Sequence, residues 1–283
     1  MTSAEQVVVP LDADEARRVQ AERVERIGKW VLPILIMLLA IWLWDRICVW
    51  NEIPSYILPR PGEVLATLRS DAPLLFGSLL FTLRITFFSL LLAVLGGVGL
   101  AVLFTQSKWV EMSFFPFAIV LQVTPIVAIF PLINIYVDNQ TAKLLLCAWI
   151  VAFFPILANT ATGLRSADRQ LGELFTLYGA TRWQRLRWLL VPSALPYFLS
   201  GLRVAGGLSL IGAVVAEFTA GTAGRETGLA SRILEASFRT EIPLMFAALA
   251  LVSLLGVAIF LATSWLSRRL LGGWHESEAR EPG

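Results

Sequence analysis

The side chains with the most distinctive spacing lie in one polar segment, residues 165–203, between two long apolar runs. The segment is rich in arginine and carries Pro192 and Pro196 where the second apolar run begins. Glu173 precedes Gly179 by six residues, and Pro192 follows Gly179 by thirteen. Arginine and carboxylate side chains can pair with charged groups on another protein. The segment therefore predicts recognition of a protein partner.

Patterns that would indicate an enzyme are missing from the sequence. It has no H-E-x-x-H and no G-x-S-x-G, and Cys48, Cys147 and His275 are too scattered for a metal site or a disulfide framework. A P-loop ends in Lys followed by Ser or Thr, and none of the three lysines is followed by either. We therefore expect no catalytic residue, no metal site and no cofactor in this chain.

Long apolar runs place the chain in a membrane. Of its 283 residues, 57% are hydrophobic, against about 45–50% apolar residues in a typical soluble domain. A spanning helix needs roughly 20 mostly apolar residues, and lipid offers the backbone no hydrogen-bond partners. The sequence predicts an all-α integral membrane protein with six transmembrane helices, at about residues 30–50, 74–104, 112–136, 142–161, 194–217 and 242–266.

Basic residues orient these spans. With the N-terminus inside, fourteen Lys and Arg fall in inner segments and five in outer segments, and an excess of Lys and Arg marks the cytoplasmic side. We expect both termini in the cytoplasm, with 1–28 as a cytoplasmic N-terminal segment, 29–270 as the transmembrane domain and 271–283 as a cytoplasmic tail. The basic residues flank spans and form no continuous stripe, so membrane lipid is expected as a partner and nucleic acid is not.

The first half of the polar segment predicts a short helix. Residues 167–178 include Leu171, Leu174, Phe175 and Tyr178 at three- and four-residue spacing, which gives one apolar stripe. The next residue is a glycine, and glycine commonly ends a helix in a left-handed turn. We expect the chain to change direction there.

The second half predicts another short helix. Thr181 and Gln184 have the spacing of a capping box, in which each residue bonds the other's backbone N–H. The helix should run from Arg182 to about Leu190 and stop before Pro192, because proline disfavours a helical residue before it. Two short helices joined at a corner would suit docking on a partner protein.

The spacing of Glu173, Gly179 and Pro192 resembles the Glu-Ala-Ala…Gly…Ile-x-Leu-Pro loop of ABC importer permeases. The alanine pair of that pattern is replaced here by Leu174 and Phe175. Further stretches resemble the nitrate, sulfonate and taurine branch of the family, and the likeness covers about residues 56–270. These stretches are YILPRPGEVLATL at 56–68, VTPIVAIFPLINIYV at 123–137 and GLRVAGGLSLIGAVVAEF at 201–218.

The resemblance implies a six-span fold with a two-helix cytoplasmic coupling loop between spans four and five, in a bacterial cytoplasmic (inner) membrane. The chain would be the pore subunit of an ATP-driven importer for a small polar solute. Its partners would be an ABC ATPase dimer that binds ATP and Mg, an extracytoplasmic solute-binding protein and a second permease copy. The residues expected to couple it to the ATPase are Glu173, Leu174, Phe175, Tyr178, Gly179, Thr181, Arg182, Gln184, Arg185 and Pro192.

Two alternatives stay open at this point. A secondary transporter or a channel would work without an ATPase, but it would not need the two-helix loop. The solute is also open, since this branch of the family handles nitrate, bicarbonate, sulfonates, taurine and pyrimidine-type precursors. Co-purification with an ATPase subunit would separate the importer from the other transporters.

The third apolar run is expected to carry the solute path. Pro116, Pro125 and Pro131 interrupt its hydrogen bonds, and irregular backbone within a membrane is tolerated where it lines a cavity or is buried in protein. The polar side chains of these spans either line the path or bond across helices. The path candidates are Gln122, Thr124, Pro125, Asn134 and, in span five, Ser209.

Other residues are expected to act at the outer surface or in packing. Residues 61–70 should form a helix beginning at Pro61, and Glu63 and Arg232 are expected to contact the binding protein. Glu217 is expected to face water, and Arg84 either meets an anionic solute or pairs with a carboxylate. Close helix packing is expected at Gly96, Gly97, Gly99, Gly201, Gly206, Gly207 and Gly212.

Overall fold

The computed structural model describes residues 13–221 and 227–272 of the chain. Every regular element in these two ranges is helical. The chain divides into two units, of which the first ends at Pro54 and the second begins at Ser55.

The first unit contains one long helix, α1, which spans Ala13–Trp50 and passes through Pro33 without a break. Its apolar part, Val31–Trp50, is long enough to cross a membrane. Asp45 forms an ion pair with the adjacent Arg46 at 3.6 Å. The boundary placed at residue 28 is therefore a change of composition within one continuous helix.

The second unit holds the other ten helices of the described chain. Helix α2 begins with Pro61 at its first position, as predicted, because a proline there removes only an N–H that has no partner inside the helix. The helices are α2 (Pro61–Ser70), α3 (Ala72–Gln106), α4 (Lys108–Val123), α5 (Ile126–Tyr136), α6 (Gln140–Arg165), α7 (Arg169–Leu177), α8 (Arg182–Arg185), α9 (Val191–Ala220), α10 (Leu229–Phe238) and α11 (Ile242–Leu271).

Five stretches of helix in the described residues are long and apolar enough to cross a membrane. The predicted third span is instead a pair of shorter helices, α4 and α5, bent by 105° at a break of a few residues. Counting the pair as one span gives the six that the sequence predicts. The five unbroken stretches are Val31–Trp50, Ala72–Gln106, Gln140–Arg165, Arg182–Ala220 and Ile242–Leu271.

The core of the second unit lies where α6 packs against α3 and α9. Small residues allow this close approach, as is usual between helices in lipid. A Cβ atom on Gly97 of α3 would lie 2.8 Å from Ile156 of α6, and a Cβ on Gly212 of α9 would lie 2.8 Å from the Ala148 Cα. Neither position has room for a side chain.

The glycine packing expected from the sequence is confirmed at some positions and wrong at others. Gly97, Gly201 and Gly212 lie in close helix contacts, whereas a Cβ on Gly99 or Gly207 would meet no atom within 4 Å. A run of glycines shows that one helix face can approach a neighbour. It does not show which member of the run lies on that face.

We expect Gly97→Val to destabilise the permease, because the added side chain must displace Ile156. Overpacking of this kind typically costs about 1–3 kcal/mol. Gly99→Val is the matched control, since it adds the same β-branched residue to the same helix where nothing lies within 4 Å. Thermal unfolding in detergent should show a lower midpoint for the first variant only. Equal midpoints would contradict the packing described here.

Candidate functional site

A sharp corner joins α7 to α8. The N–H of Ala180 donates to the Phe175 carbonyl at 2.9 Å, and the N–H of Gly179 donates to the Thr176 carbonyl at 3.0 Å. These two bonds form a Schellman motif, which ends a helix through a left-handed residue. Gly179 has a φ of +66°, a region that residues with a Cβ enter at a cost. The predicted glycine corner is confirmed.

The start of α8 is fixed by the predicted capping box. The N–H of Thr181 donates to Gln184 Oε1 at 2.8 Å, and the N–H of Gln184 donates to Thr181 Oγ1 at 3.3 Å. Each side chain thus satisfies a backbone group that the helix leaves open. Both sides of the corner are held by local hydrogen bonds.

The prediction that the second helix stops before Pro192 is wrong. Helix α8 continues through a π-helical turn, Leu186–Leu190, directly into α9, and the N–H of Val191 donates to the Leu186 carbonyl five residues back. The proline ring would clash with the carbonyl four residues earlier in a regular α-helix. The wider π turn before Pro192 relieves that conflict, so the helix does not have to end.

One face of the corner is apolar and exposed. Leu174 and Phe175 from α7, Tyr178 directly after it and Trp188 from the π turn border a groove, and Tyr178 is 81% exposed. Three of the four residues of the predicted stripe therefore border this groove, and the fourth, Leu171, is exposed on the same helix. We call this surface the corner groove, and its lining residues are Leu174, Phe175, Tyr178, Gly179, Ala180, Gln184 and Trp188.

The opposite face of α7 borders a charged cleft. Arg169, Gly172, Glu173 and Thr176 recur there at three- and four-residue spacing, which is one side of a helix. The cleft is completed by Arg182 and Arg185 of α8 and by the ends of α3, α4 and α6. Its charged residues are Lys108, Glu111, Arg165, Asp168, Arg169, Glu173, Arg182 and Arg185.

Ion pairs organise this cleft. Arg165, at the end of α6, pairs with Glu111 of α4, and Arg169 Nε lies 3.1 Å from Glu173 Oε1. A Cβ atom added to Gly172 would lie 3.3 Å from the Arg185 guanidinium. The Arg185 side chain therefore lies over the backbone of α7. Glu173, Arg182 and Arg185 therefore border the charged cleft, while the apolar residues predicted with them border the corner groove.

Three large side chains at the corner were not identified from the sequence. Leu177, Trp183 and Trp188 are 83%, 68% and 66% exposed. A usable signal was present, because two tryptophans within a polar, arginine-rich segment are unusual unless the surface meets lipid or another protein.

The break between α4 and α5 gathers three of the predicted path residues. Gln122 lies next to the end of α4, while Thr124 and Pro125 have extended backbone between the two helices. The Thr124 hydroxyl donates to the Val120 carbonyl at 2.7 Å. Helix ends leave carbonyls and N–H groups without partners inside the helix. The break therefore presents polar backbone within an apolar segment.

Asn134 lies away from this break. It belongs to the last turns of α5, and its Oδ1 accepts a hydrogen bond from Lys143 Nζ of α6 at 2.7 Å. The structure thus places Asn134 at the junction of α5 and α6 and not with Gln122 and Thr124.

Ser209 was expected on the solute path, but it is fully buried between α9 and α3. Its hydroxyl lies 2.8 Å from the Ser89 hydroxyl and 2.7 Å from the Thr86 carbonyl. A side chain with no exposed surface cannot meet a solute in this conformation. Bonding across helices, the alternative left open from the sequence, describes its contacts.

The two residues expected to contact a binding protein hold their own helices in place. Glu63 Oε2 accepts a hydrogen bond from the Arg60 N–H at 3.0 Å, and its other oxygen accepts one from Ser55 Oγ at 2.8 Å. Arg232 pairs with Glu235 at 2.6 Å. It also donates from Nε to Ser78 Oγ of α3 at 3.2 Å. These bonds leave neither residue available as a simple surface charge. His275 lies outside the described residues.

Comparisons with known proteins agree with the architecture. The family described as binding-protein-dependent transport system inner membrane component matches residues 93–272. The crystal structure of an amino acid ABC transporter with histidines has a chain that aligns with a TM-score of 0.58 at 19% identity. The alignment covers 72% of this chain and 97% of that one, and at this identity it supports the fold alone.

Curated relatives are similar along most of their length. The formylaminopyrimidine transport permease protein of Halalkalibacterium halodurans is 34% identical over 84% of this chain and 94% of its own length. The riboflavin transport system permease protein of Chloroflexus aurantiacus is also 34% identical, over 87% of this chain and 90% of its own. The taurine transport system permease protein of Escherichia coli is 27% identical over 85% and 88%.

Members of this family are the membrane subunits of ABC importers for small solutes, and they work with a separate ATPase and a binding protein. The five unbroken apolar helices, the bent pair α4 and α5 and the polar corner all suit such a subunit. The chain belongs to the binding-protein-dependent transport system inner membrane components, in the nitrate, sulfonate and taurine branch of ABC importer permeases.

Proposed function

We propose that the corner formed by α7, Gly179 and α8 docks on the ATPase subunit, with the corner groove as its contact surface. The observation that carries this proposal is the exposed apolar face on a corner held by its own hydrogen bonds. Exposed apolar patches mark sites of protein association, and aromatic side chains supply much of the binding energy at such sites. Because its own hydrogen bonds hold the corner before it binds, little conformational entropy is lost on docking.

The charged cleft orients this contact. Glu173 and Arg169 hold one another on the first helix, and Arg185 rests on the backbone of α7. Arg182 and Arg185 face acidic groups at the rim of the partner, where charge complementarity contributes more to orientation and association rate than to affinity. Thr181, Gln184 and Pro192 act indirectly, by fixing the start of α8 and its passage into α9.

ATP and Mg bind to the partner ATPase, and this chain requires no cofactor. None of its lysines has the Ser or Thr neighbour that a P-loop requires. Energy therefore reaches this chain as movement of the docked corner.

The solute crosses the membrane beside the break between α4 and α5. Gln122 and Pro125 are exposed on the single protomer, so one copy does not enclose the path. A second copy of the chain would close it and remove these polar groups from lipid, which solvates them poorly. Asn134 lies near one end of the path, held by Lys143, and Ser209 belongs to the packing behind it.

The solute is a small polar molecule. The relatives are named for solutes as different as taurine and riboflavin, so family membership leaves the choice wide. We assign selection to the extracytoplasmic binding protein, which contacts the outer helices α2 and α10. Glu63 and Arg232 support these helices, so charge reversal at either would disturb the helix as well as the contact.

Both termini and the corner face the cytoplasm of a bacterial cell. The excess of Lys and Arg in the segments on this side supports that orientation. Ser166 and Ser70 lie near opposite ends of the unit, since the end of α6 borders the cleft with the end of α3, while α2 directly precedes the start of α3.

The docking surface can be tested with two matched tyrosines. Tyr178 is 81% exposed in the corner groove, and Tyr136 is 82% exposed at the end of α5. We expect Tyr178→Ala to weaken binding of the purified ATPase by about tenfold or more, as loss of an aromatic anchor does, and Tyr136→Ala to leave it unchanged. Titration of ATPase onto detergent-solubilised permease measures both. Equal affinities would reject the corner groove as the contact.

The geometry of the corner can be tested at Gly179. A β-branched side chain is strongly disfavoured at its φ of +66°, whereas asparagine tolerates this region. We expect Gly179→Val to abolish stimulation of ATP hydrolysis by loaded binding protein, while Gly179→Asn retains most of it. Retained insertion and dimerisation of both variants would show that the spans are intact. Full stimulation in the valine variant would mean that corner geometry does not matter.

Orientation can be tested with single cysteines. In a background with Cys48 and Cys147 replaced by alanine, Ser70→Cys should react with a membrane-impermeant thiol reagent added to sealed cells, and Ser166→Cys should react only after the membrane is permeabilised. Both serines are exposed in the protomer, so access is limited by the membrane alone. Labelling of Ser166→Cys in sealed cells would reverse the orientation.

A further inference from the structure

The start of α10 is held entirely by residues from other helices. The first hydrogen bond within this helix runs from Arg232 N–H to the Gly228 carbonyl, so the N–H groups of Leu229, Ala230 and Ser231 have no partner inside α10. Gly228, at the N-cap position, has no side chain to offer them. Their partners must come from elsewhere.

Glu217 of α9 and Thr82 of α3 supply these partners. The Leu229 N–H donates to Thr82 Oγ1 at 2.9 Å, and the Ala230 N–H donates to Glu217 Oε2 at 2.9 Å. The Ser231 N–H also bonds to Glu217. All three open groups at the start of α10 are therefore satisfied.

The two partners are also bonded to one another. The Thr82 hydroxyl donates to Glu217 Oε1 at 2.8 Å, and both side chains are fully buried, with 0% and 1% exposure. Glu217 was expected to face water, and that expectation is wrong. A carboxyl group in such a place is tolerable because hydrogen bonds and the positive end of a helix surround it.

Gly228 fits this arrangement closely. A Cβ atom at this position would overlap the Glu217 carboxyl group, so a residue with a side chain would push α10 away from α9. We call the set of Thr82, Glu217 and Gly228 the outer latch. It joins α3, α9 and α10 without using residues 222–226, which lie outside the described chain.

Glu217 of the outer latch and α8 of the corner lie on the same helical stretch. Arg182–Ala220 is continuous over 39 residues, or about 58 Å at 1.5 Å per residue. Thr181 caps its first turn at the corner, and Glu217 lies in its last turn. A displacement at the corner therefore reaches Glu217 through one continuous helix, in which Pro192 and Pro196 are the residues that donate no backbone hydrogen bond.

We propose that Glu217 is a positioning residue that makes α10 move together with α9, so that the outer latch transmits movement of the docked corner to the outer surface. This inference rests on the proposed docking of the corner. It adds a specific mechanical link, made of one carboxyl group, one hydroxyl and three N–H groups. Without the link, α9 would still move with the corner, and α10 would not follow.

The test uses the permease reconstituted with its ATPase in nanodiscs, with Cys48 and Cys147 replaced by alanine. A fluorophore on Phe238→Cys, the last residue of α10 and 79% exposed, reports the outer surface. A fluorophore on Gln170→Cys of α7 reports the corner. Each emission spectrum is recorded before and after trapping with ATP, Mg and vanadate. In the otherwise native chain we expect a change at both positions.

We expect Glu217→Ala to abolish the change at position 238 and to leave the change at position 170. Thr82→Val keeps the side-chain shape and removes one buried hydroxyl. Loss of the hydroxyl's hydrogen bonds should raise the hydrogen-exchange rate of the 229–231 amides about fivefold or more. It should also reduce the emission change at position 238. Thr82→Ser, which keeps the hydroxyl, should restore both measurements.

Thr86→Val is the matched control. Thr86 is buried one turn further along α3, and its hydroxyl donates only within its own helix, to the Thr82 carbonyl at 2.8 Å. This variant should leave the emission changes at positions 170 and 238 and the amide hydrogen exchange of α10 as they are in the otherwise native chain. If Glu217→Ala does not fold, the shape-preserving Thr82→Val carries the test.

The outcomes separate the two proposals. A response at 170 with an unchanged response at 238 in Glu217→Ala and Thr82→Val would overturn the outer latch and leave corner docking intact. If the emission at position 238 does not change on trapping in the otherwise native chain, the latch is also overturned. If the emission at position 170 does not change on trapping, corner docking is overturned. The latch proposal then falls with it, because it rests on that docking.

Discussion

The hydrocarbon interior of the membrane dictates this structure, because it offers no hydrogen bond to a backbone or side chain. A polar group inside the spans can therefore be satisfied only by the protein itself. Ser209 meets Ser89 and a carbonyl of α3, and Glu217 meets a hydroxyl and the start of α10. The break between α4 and α5 stands apart, since its polar backbone lies at the protomer surface. That contrast separates the polar groups that hold helices together from those that we propose for the solute path.

The same constraint gives the protein its mechanical continuity. Helix α9 cannot end inside lipid without exposing carbonyls, and the chain passes Pro192 by widening one turn into a π helix. Helix α8 of the corner, the span and Glu217 of the outer latch are therefore parts of one helical stretch. Close packing of α9 on α6, through small residues such as Gly212, sets the surface along which this stretch can move. A membrane subunit with no nucleotide site of its own needs such a connection to respond to an ATPase.

Local rules predicted the corner well and tertiary features poorly. Gly179, the capping box of Thr181 and Gln184 and the helix from Pro61 depend on neighbouring residues, so their types and spacing are sufficient evidence. The continuation past Pro192 depends on a π turn, which has no clear sequence pattern. Ser209 was expected on the path as the polar residue of span five in a family resemblance, and Glu217 looked accessible because it lies near a helix end, where polar residues are usually exposed. Their partners, Ser89 and Thr82, are more than a hundred residues away in sequence, and no spacing rule connects them.

The central claim is that the corner groove contacts the ATPase, and photocrosslinking in living cells tests it most directly. A benzophenone amino acid replaces Tyr178 in the groove or, as a control, Tyr56 before α2, since both tyrosines are exposed. We expect irradiation to join the ATPase subunit to the permease from position 178 and not from position 56. Capture of the ATPase from position 56, or its absence at position 178 in a complex that still transports, would contradict the account.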